Sequence, residues 1–310
     1  MERLTLAGGV PDHLKGSVLA LGNFDGFHLG HQAVVGRALA RGFHERRPVI
    51  VATFDPHPVR FFKPEVPPFR LTTLDQREAL FAHAGADAML VFEFGADLAS
   101  MDAETFVADV LAKQIGAAGV VTGDDFTFGK GRAGDVPLLG ALGAEHGVRA
   151  EAVAQVVLDG ERISSGRIRE ALIAGDTATA THMLTRDYAI KGVVQRGDRR
   201  GRELGYPTAN LELGDYLRPR YGIYAVRVTL DDGSERPGVA SLGVRPTFEP
   251  AQELLEAHLF GFEGDLYGRD IEVALHAFIR DEKKFDDLEA LVAEMRSDET
   301  EARRLLAIGP

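Results

Sequence analysis

The segment Gly22-Asn23-Phe24-Asp25-Gly26-Phe27-His28-Leu29-Gly30-His31-Gln32 gathers three glycines and two histidines directly after a short apolar run. Glycine lets a backbone turn sharply and approach a ligand closely. Where such a turn opens a helix, the first N–H groups are unpaired and the dipole end is positive, which suits phosphate. His28 and His31 are three residues apart, so one helical turn sets both imidazoles on the same side. Together they can donate hydrogen bonds to phosphate oxygens and stabilise charge that builds up during displacement at phosphorus. The plain alternatives are a surface pair or a metal site. Zinc is disfavoured because no third ligand stands at an obvious spacing, although Asp25 and His57 could be argued.

Two further stretches carry chemistry-bearing residues. Ile163-Ser164-Ser165-Gly166-Arg167-Ile168-Arg169 precedes a helical pattern with apolar Ile168, Leu172 and Ile173, and Ser164 and Ser165 can cap its N-terminus. Farther on, Gly197-Asp198-Arg199-Arg200-Gly201-Arg202-Glu203-Leu204-Gly205-Tyr206-Pro207-Thr208-Ala209-Asn210-Leu211 is a glycine-rich loop but not a Walker A motif, since no Gly-Lys-Ser/Thr follows. Such a loop, with Gly197, Gly201, Arg202, Gly205 and Pro207, is expected to offer a cover for phosphates, here those of ATP. Thr208 and Asn210, two apart on an extended segment, face the same way. A hydroxyl and an amide oxygen are hard ligands that suit Mg²⁺ held between protein and ATP. In Leu254-Leu255-Glu256-Ala257-His258-Leu259, strand alternation separates Leu255, Ala257 and Leu259 from Glu256 and His258. Glu256 is thus a candidate base for a substrate hydroxyl, against the plain alternative of an exposed strand carboxylate.

The elements that must position these residues differ between the two halves of the chain. In the first half, short apolar runs at Ser17–Leu21, Pro48–Phe54, Asp87–Phe92 and Gly119–Thr122 alternate with helical patterns. One such helix carries Val34, Val35, Ala38 and Leu39 on a face, and others span about 74–84 and 103–115. Continuous apolar strands are buried on both faces, which implies a doubly wound α/β domain with ligands beyond the C-terminal strand ends. After about residue 186 the period changes. Tyr224, Val226, Val228 and Leu230 alternate before an Asp231-Asp232-Gly233 turn, and Ile271, Val273, Leu275 and Ala277 alternate likewise. Strands joined by turns imply an antiparallel sheet or β-barrel. A closing helix of about 20 residues carries the stripe Leu288, Leu291, Val292 and Met295, expected to pack on that barrel. The expected domains are 1–185 and 186–310, with no internal repeat or low-complexity linker.

Length and composition agree with this division. At 310 residues two domains are the natural expectation. A formal net charge of −12 argues against a broad nucleic-acid face, though a phosphate site needs only a few local donors. With no cysteine, disulfides, thiolate zinc sites, iron–sulfur clusters and cysteine nucleophiles are excluded. The N-terminal residues lack the pattern of a signal peptide, and no stretch approaches the roughly 18 apolar residues of a membrane span. A cytoplasmic protein with no membrane partner is expected, and oligomerisation is left open.

A His-x-Gly-His at the first strand–helix turn of an α/β domain resembles the nucleotidyltransferase superfamily, and in that setting Arg169 is aimed at the polyphosphate, where a guanidinium fork suits phosphate oxygens. The resemblance extends further. Gly22–Gln32, Thr53-Phe54-Asp55-Pro56-His57-Pro58, Gly123-Asp124-Asp125-Phe126-Thr127-Phe128-Gly129 and Ser164–Arg169 occur in the order seen in the bacterial bifunctional riboflavin kinase/FMN adenylyltransferase (FAD synthetase) family. Gly197–Leu211, Gly238–Phe248, Gly264-Asp265-Leu266-Tyr267-Gly268 and Phe278–Phe285 resemble its kinase domain. The resemblance runs from about residue 14 to 306. It implies a Rossmann-like adenylyltransferase domain joining FMN to ATP, and a β-barrel domain that phosphorylates riboflavin.

Carried over residue by residue, the resemblance puts Gly22, Phe24, Gly30, Asp125, Ser164 and Ser165 in the first ATP site, with Phe126 and Phe128 near the nucleotide. Phe54, Pro56, His57 and Pro58 line the flavin side. Thr208 and Asn210 bind Mg²⁺ and ATP phosphate, and Glu256 activates the ribityl hydroxyl. Gly166 departs from the family, which usually has Thr or Ser there, so any hydroxyl contact is lost. Asp124 and Asp125 are more acidic than the usual pattern. Rival readings are a flavin- or nucleotide-binding regulator with inactive sites, an aminoacyl-tRNA synthetase, and an adenylyltransferase for another acceptor. The synthetase is disfavoured by the short acidic chain and the lack of a Lys-Met-Ser-Lys-Ser type loop.

Overall fold

The computed structural model describes residues 1–196, 205–245, 252–285 and 287–309. Gly197, Gly201 and Arg202, expected over ATP, lie outside the described residues, as does Pro246-Thr247-Phe248. The chain divides into two compact units, Met1–Pro67 with Leu74–Ser164, and Pro68–Thr73 with Ser165–Pro310.

The first unit is built on strands β1 (Glu2–Thr5), β2 (Val18–Leu21), β3 (Val49–Asp55), β4 (Ala88–Glu93), β5 (Gly119–Gly123) and β6 (Arg149–Val153). They form one parallel six-stranded sheet in the order β1-β4-β3-β2-β5-β6. Successive residues along each central strand feed opposite cores. Leu19, Leu21, Ile50, Ala52, Leu90 and Val120 pack with the helix over Phe106–Ile115. Val18, Ala20, Val49, Val51, Met89 and Val121 pack with Val34, Val35 and Ala38 of α1 (Leu29–Glu45) and with Phe81 of α3 (Leu74–Ala84). That two-sided burial is why the strands read as unbroken apolar runs. The stretch 103–115 is a single helical turn, Ala103–Thr105, that continues as a π-helix rather than an α-helix.

The second unit is an antiparallel sheet of β9 (Tyr188–Val193), β10 (Ala209–Glu212), β11 (Gly222–Thr229), β12 (Glu235–Arg245), β13 (Gln252–Leu259) and β14 (Asp270–Arg280), ordered β10-β13-β12-β11-β14-β9. The Gln195 N–H donates to the Asn210 carbonyl at 2.8 Å and joins the two edges, so the sheet curls into a near-barrel. Tyr224, Val226, Val228, Leu242, Leu255, Ala257, Val273 and Leu275 are fully buried. The alternation expected to run on to Ala277 stops at Leu275. Ala225 pairs with Ala277 but Val226 pairs with Leu275, so one extra residue bulges at His276 and turns Ala277 to the other face.

On that face Ala225, Ala277 and Ile279 meet Ala302 and Leu305 of the terminal helix Leu288–Leu305 and its C-cap Leu306. The helix is fixed by Arg280, whose Nε and Nη2 grip the buried Asp298 carboxylate at 2.7 and 2.6 Å. Its anchoring half is therefore the C-terminal one. The expected stripe is less covered: Leu288 is 58% exposed, and Leu291, Val292 and Met295 are half-buried. Small Ala225 and Ala277 admit close approach opposite Ala302 and Leu306, and the stripe has no such partner in that cluster.

The contact division falls at Ser164/Ser165, ahead of the expected 185/186. The helices Ser165–Ala174 (α7) and Thr177–Leu184 (α8) belong to the second unit, where the Arg220 N–H donates to the Leu172 carbonyl at 2.9 Å. So does Pro68–Thr73, whose Arg70 pairs with Asp215 and Leu217.

Candidate active sites

At the end of β2 the chain leaves the sheet at Gly22 and reaches α1 through Phe24, Gly26 and Phe27, all with positive φ (49°, 85° and 44°). His28 is the N-cap of α1, and its Nδ1 accepts the His31 N–H at 3.3 Å. Neutral His28 therefore carries its proton on Nε2, the atom able to donate to a phosphate oxygen. The His28 and His31 rings stack with centroids 3.6 Å apart and planes 17° off parallel. The i,i+3 spacing has thus brought the two imidazoles together. His31 also meets the Phe24 ring edge-on at 5.3 Å. Gly30 leaves room for this packing, because a Cβ there would stand a tight 3.1 Å from His28 Cε1. Gly22 is similar, its Cβ falling 3.1 Å from the Phe24 ring.

Beneath the turn lies a polar group that sequence reading missed. Arg77 of α3 is only 1% exposed, with Nη1 donating to Thr53 Oγ1 at 3.0 Å and Nη2 standing 3.9 Å from Asp25 Oδ1. Thr53 Oγ1 in turn donates to the Asn23 carbonyl at 2.7 Å. Asp25 is buried, with an arginine as its ion-pair neighbour. Among the described residues no cluster of three or more His, Cys, Asp or Glu could hold a metal ion. The only hint in the sequence is that Arg77 stands one turn from Phe81 on the same helix face.

The residues expected on the flavin side sit at the end of β3 (Phe54) and just past it (Pro56, His57 and Pro58). Phe54 stacks on Phe92 at 5.2 Å, and Pro56 follows Asp55 in a cis peptide. His57 caps the short helix α2 (Pro58–Phe62) by accepting the Val59 N–H at 3.1 Å. Phe61, Phe62 and Phe94 extend this aromatic group, and Phe62 is 63% exposed. Past β5, Asp125 pairs with Arg162, and Phe126 stacks with Phe128 at 5.9 Å. Ser165 opens α7, which buries Ile168 and Leu172 but leaves Ile173 56% exposed. In the second unit Arg169 donates from Nε to the Phe69 carbonyl at 2.8 Å and stacks over the Phe69 ring.

In the barrel, Asn210 of β10 lies directly opposite Glu256 of β13, and Glu256 lies opposite Ser241 of β12. One cross-strand row therefore carries an amide, a carboxylate and a hydroxyl. Asn210 is 6% exposed, and among the described residues nothing donates to its Oδ1. A buried carbonyl without a donor is costly unless something electropositive meets it, and a hard cation is one such group. Leu255, Ala257 and Leu259 are buried while Glu256 and His258 are half-buried. The segment carrying Thr208 is clamped at its start: His258 Nδ1–H donates to the Pro207 carbonyl at 2.9 Å, and its ring meets Tyr206 edge-on at 4.9 Å. Burial and the Glu299 carboxylate of the terminal helix push the Tyr206 hydroxyl up. Gly205, with φ of 84°, supplies a turn that side-chain-bearing residues rarely adopt.

The family model described as FAD synthetase matches residues 10–167, and that described as riboflavin kinase matches 184–306. The chain is 38% identical to the bifunctional riboflavin kinase/FMN adenylyltransferase of Escherichia coli K12, covering 95% of this chain and 94% of that one. It is 41% identical to the protein of the same description from Pseudomonas fluorescens, covering 96% and 95%. It also resembles a crystal structure from Streptococcus pneumoniae described as a macrolide-efflux protein, with a TM-score of 0.87 at 29% identity over 98% and 99% of the two chains. In the present chain no helix among the described residues is long and apolar enough to cross a membrane.

Proposed function

The chain belongs to the bifunctional riboflavin kinase/FMN adenylyltransferase family, and we propose that the His28/His31 turn and the Thr208/Asn210/Glu256 row are its two active sites. It makes FAD in two steps: ATP phosphorylates riboflavin to FMN and leaves ADP, then FMN displaces pyrophosphate from a second ATP. The functional division we propose is 1–185 for adenylyl transfer and 186–310 for phosphorylation.

In the phosphorylation step Glu256 accepts the proton of the ribityl hydroxyl as its oxygen bonds to the γ-phosphorus and the bond to the β-phosphate oxygen breaks. Gly197, Gly201, Arg202, Gly205 and Pro207 are assigned to the cover over the phosphates. Thr208 Oγ1 and Asn210 Oδ1 would hold Mg²⁺, which when bound would shield the phosphate charge. The buried Asn210 Oδ1, which has no donor among the described residues and stands in register with Glu256, is the observation that carries this reading.

In adenylyl transfer a phosphate oxygen of FMN attacks the α-phosphorus of ATP and the bond to the β-phosphate oxygen breaks. No protein nucleophile is required, so positioning and charge stabilisation supply the rate. His28 and His31 donate to oxygens whose charge grows at the transition state, and removal of such a donor typically lowers kcat by about 10²–10³. Gly22, Phe24, Gly30, Asp125, Ser164, Ser165 and Arg169 are assigned to ATP, and Phe54, Pro56, His57 and Pro58 to the flavin. The acidic balance and the use of ATP suit a cytoplasmic enzyme.

A time course with riboflavin, ATP and Mg²⁺, followed by chromatography, tests this. FMN should rise first and FAD follow. Absence of FMN would sink the kinase assignment, and FMN without FAD would sink the adenylyltransferase assignment.

A further inference from the structure

Arg77 is a long, charged side chain on helix α3, and arginine is almost never buried this deeply unless it is paired. Among its partners, Asn23 and Asp25 lie on the turn that leads to His28, and Thr53 is hydrogen-bonded to that turn. Nη1 donates to Thr53 Oγ1 at 3.0 Å and reaches the Asn23 carbonyl at 3.4 Å, Nη2 faces Asp25 Oδ1, and Thr53 donates to the same Asn23 carbonyl. Asn23 and Asp25 flank Phe24, whose φ of 49° is a conformation that persists only where the surroundings over-determine it.

One turn along α3, Phe81 meets the rings of Phe24 and Phe27 edge-on at 5.8 and 5.1 Å. A single helix face thus grips the turn twice, by its carbonyl and carboxylate through Arg77, and by its two strained aromatic residues through Phe81. The chain of contacts continues from Phe24 to His31 and from His31 to the stacked His28. A buried ion pair is a poor device for stability alone, since apolar residues of similar volume commonly do as well or better. What it supplies here is direction: planar donors that fit only one path of the Asn23–Asp25 backbone.

We infer that Arg77 and Thr53 are positioning residues for adenylyl transfer, holding the turn so that His28 and His31 meet the reacting phosphates; this rests on the reading of His28 and His31 above. Both residues are buried beneath the turn. They act through the backbone of Asn23 and the ring of Phe24, so they set the rate of the chemical step rather than the binding of FMN.

The test uses the full chain, whose riboflavin phosphorylation serves as an internal control. Thr53→Val keeps the shape and removes the hydroxyl, Thr53→Ser keeps the hydroxyl, and Arg77→Lys keeps the charge without the planar fork. Thr53→Val should lower kcat for FAD formation from FMN about tenfold, the equivalent of one hydrogen bond. The KM for FMN and the kinase rate should stay within about twofold, with the loss counted per folded molecule from thermal unfolding. Thr53→Ser should recover the rate, and Arg77→Lys should lose at least as much as Thr53→Val. A folded Thr53→Val protein with unchanged kcat overturns the inference, as do losses that vanish once counted per folded molecule. His28→Ala runs beside them. If it keeps full FAD formation, the reading of the site fails; if it loses it while Thr53→Val does not, only the inference about Arg77 and Thr53 fails.

Discussion

Replacing Gly30 by alanine probes the histidine pair without removing any group from it. The added Cβ would stand 3.1 Å from His28 Cε1 and 3.2 Å from Nδ1. Non-bonded atoms of this kind settle near about 3.5–4.0 Å, so the ring must retreat by roughly 0.5 Å. It is not free to do so at no cost, because it stacks on His31 at 3.6 Å and accepts the His31 N–H through Nδ1. A catalytic group misplaced by 1 Å can cost about 10²-fold, so half that shift should slow FAD formation about tenfold. Stability should move the other way or not at all, since alanine exceeds glycine in helix propensity by up to about 1 kcal/mol. The assay is the initial rate of FAD formation from FMN and ATP, with riboflavin phosphorylation measured on the same sample. A folded Gly30→Ala protein that makes FAD within about twofold of the parent rate would refute the reasoning about His28.

Three further outcomes follow from the barrel and the first turn. Asn210→Leu removes a buried acceptor that has no donor among the described residues, a feature costing about 1–3 kcal/mol, so the ligand-free melting temperature should hold or rise while FMN formation falls by about 10²-fold or more; a variant with full kinase rate would show that Oδ1 is not a ligand. Glu253 is raised by burial, but its hydrogen bonds from Tyr221 and Arg218 outweigh this and hold its carboxyl below the ordinary 4.5. Its folded value being the lower one, the stability it adds is present above about pH 4.5 and is lost as pH falls through the folded value. Denaturant midpoints at pH 6 and pH 4 should therefore differ less for Glu253→Gln than for the parent, and equal differences would contradict the assignment. His28→Ala should cut FAD formation by about 10²–10³ while its kinase rate stays at the parent level.

The sheets were legible wherever one physical cause acted alone. Val49–Thr53 reads as an apolar run because both of its faces are covered, and the spacing of Val34, Val35 and Ala38 reads as a helix because one face is. Edge strands were not legible: β1 and β6 have little apolar signal, since Glu2, Arg3, Thr5 and Arg149 are exposed. The reversal of face at Ala277 depends on a bulge that only the pairing with β11 reveals. Likewise the stripe at Leu288–Met295 has helical period, yet the helix is anchored through Asp298, Ala302 and Leu306, where the sheet offers small residues and Arg280. At the first site, spacing was enough to bring His28 and His31 together. Arg77 was missed because its one signal, a place one turn from Phe81 on the same helix face, does not distinguish a solvated helix arginine from one buried beneath a turn. The row Asn210–Glu256–Ser241 joins three strands, so its register could not come from any one segment.

The central claim is that two separate sites act in sequence, the product of the Thr208/Asn210/Glu256 row being the substrate of the His28/His31 turn. The most direct measurement supplies His28→Ala and Glu256→Ala proteins in turn with riboflavin and with FMN, each with ATP and Mg²⁺, and quantifies both products. His28→Ala should accumulate FMN from riboflavin and make little FAD from either flavin; Glu256→Ala should make no FMN from riboflavin but convert supplied FMN to FAD at the parent rate. Loss of both reactions in either folded variant would contradict the two-site account.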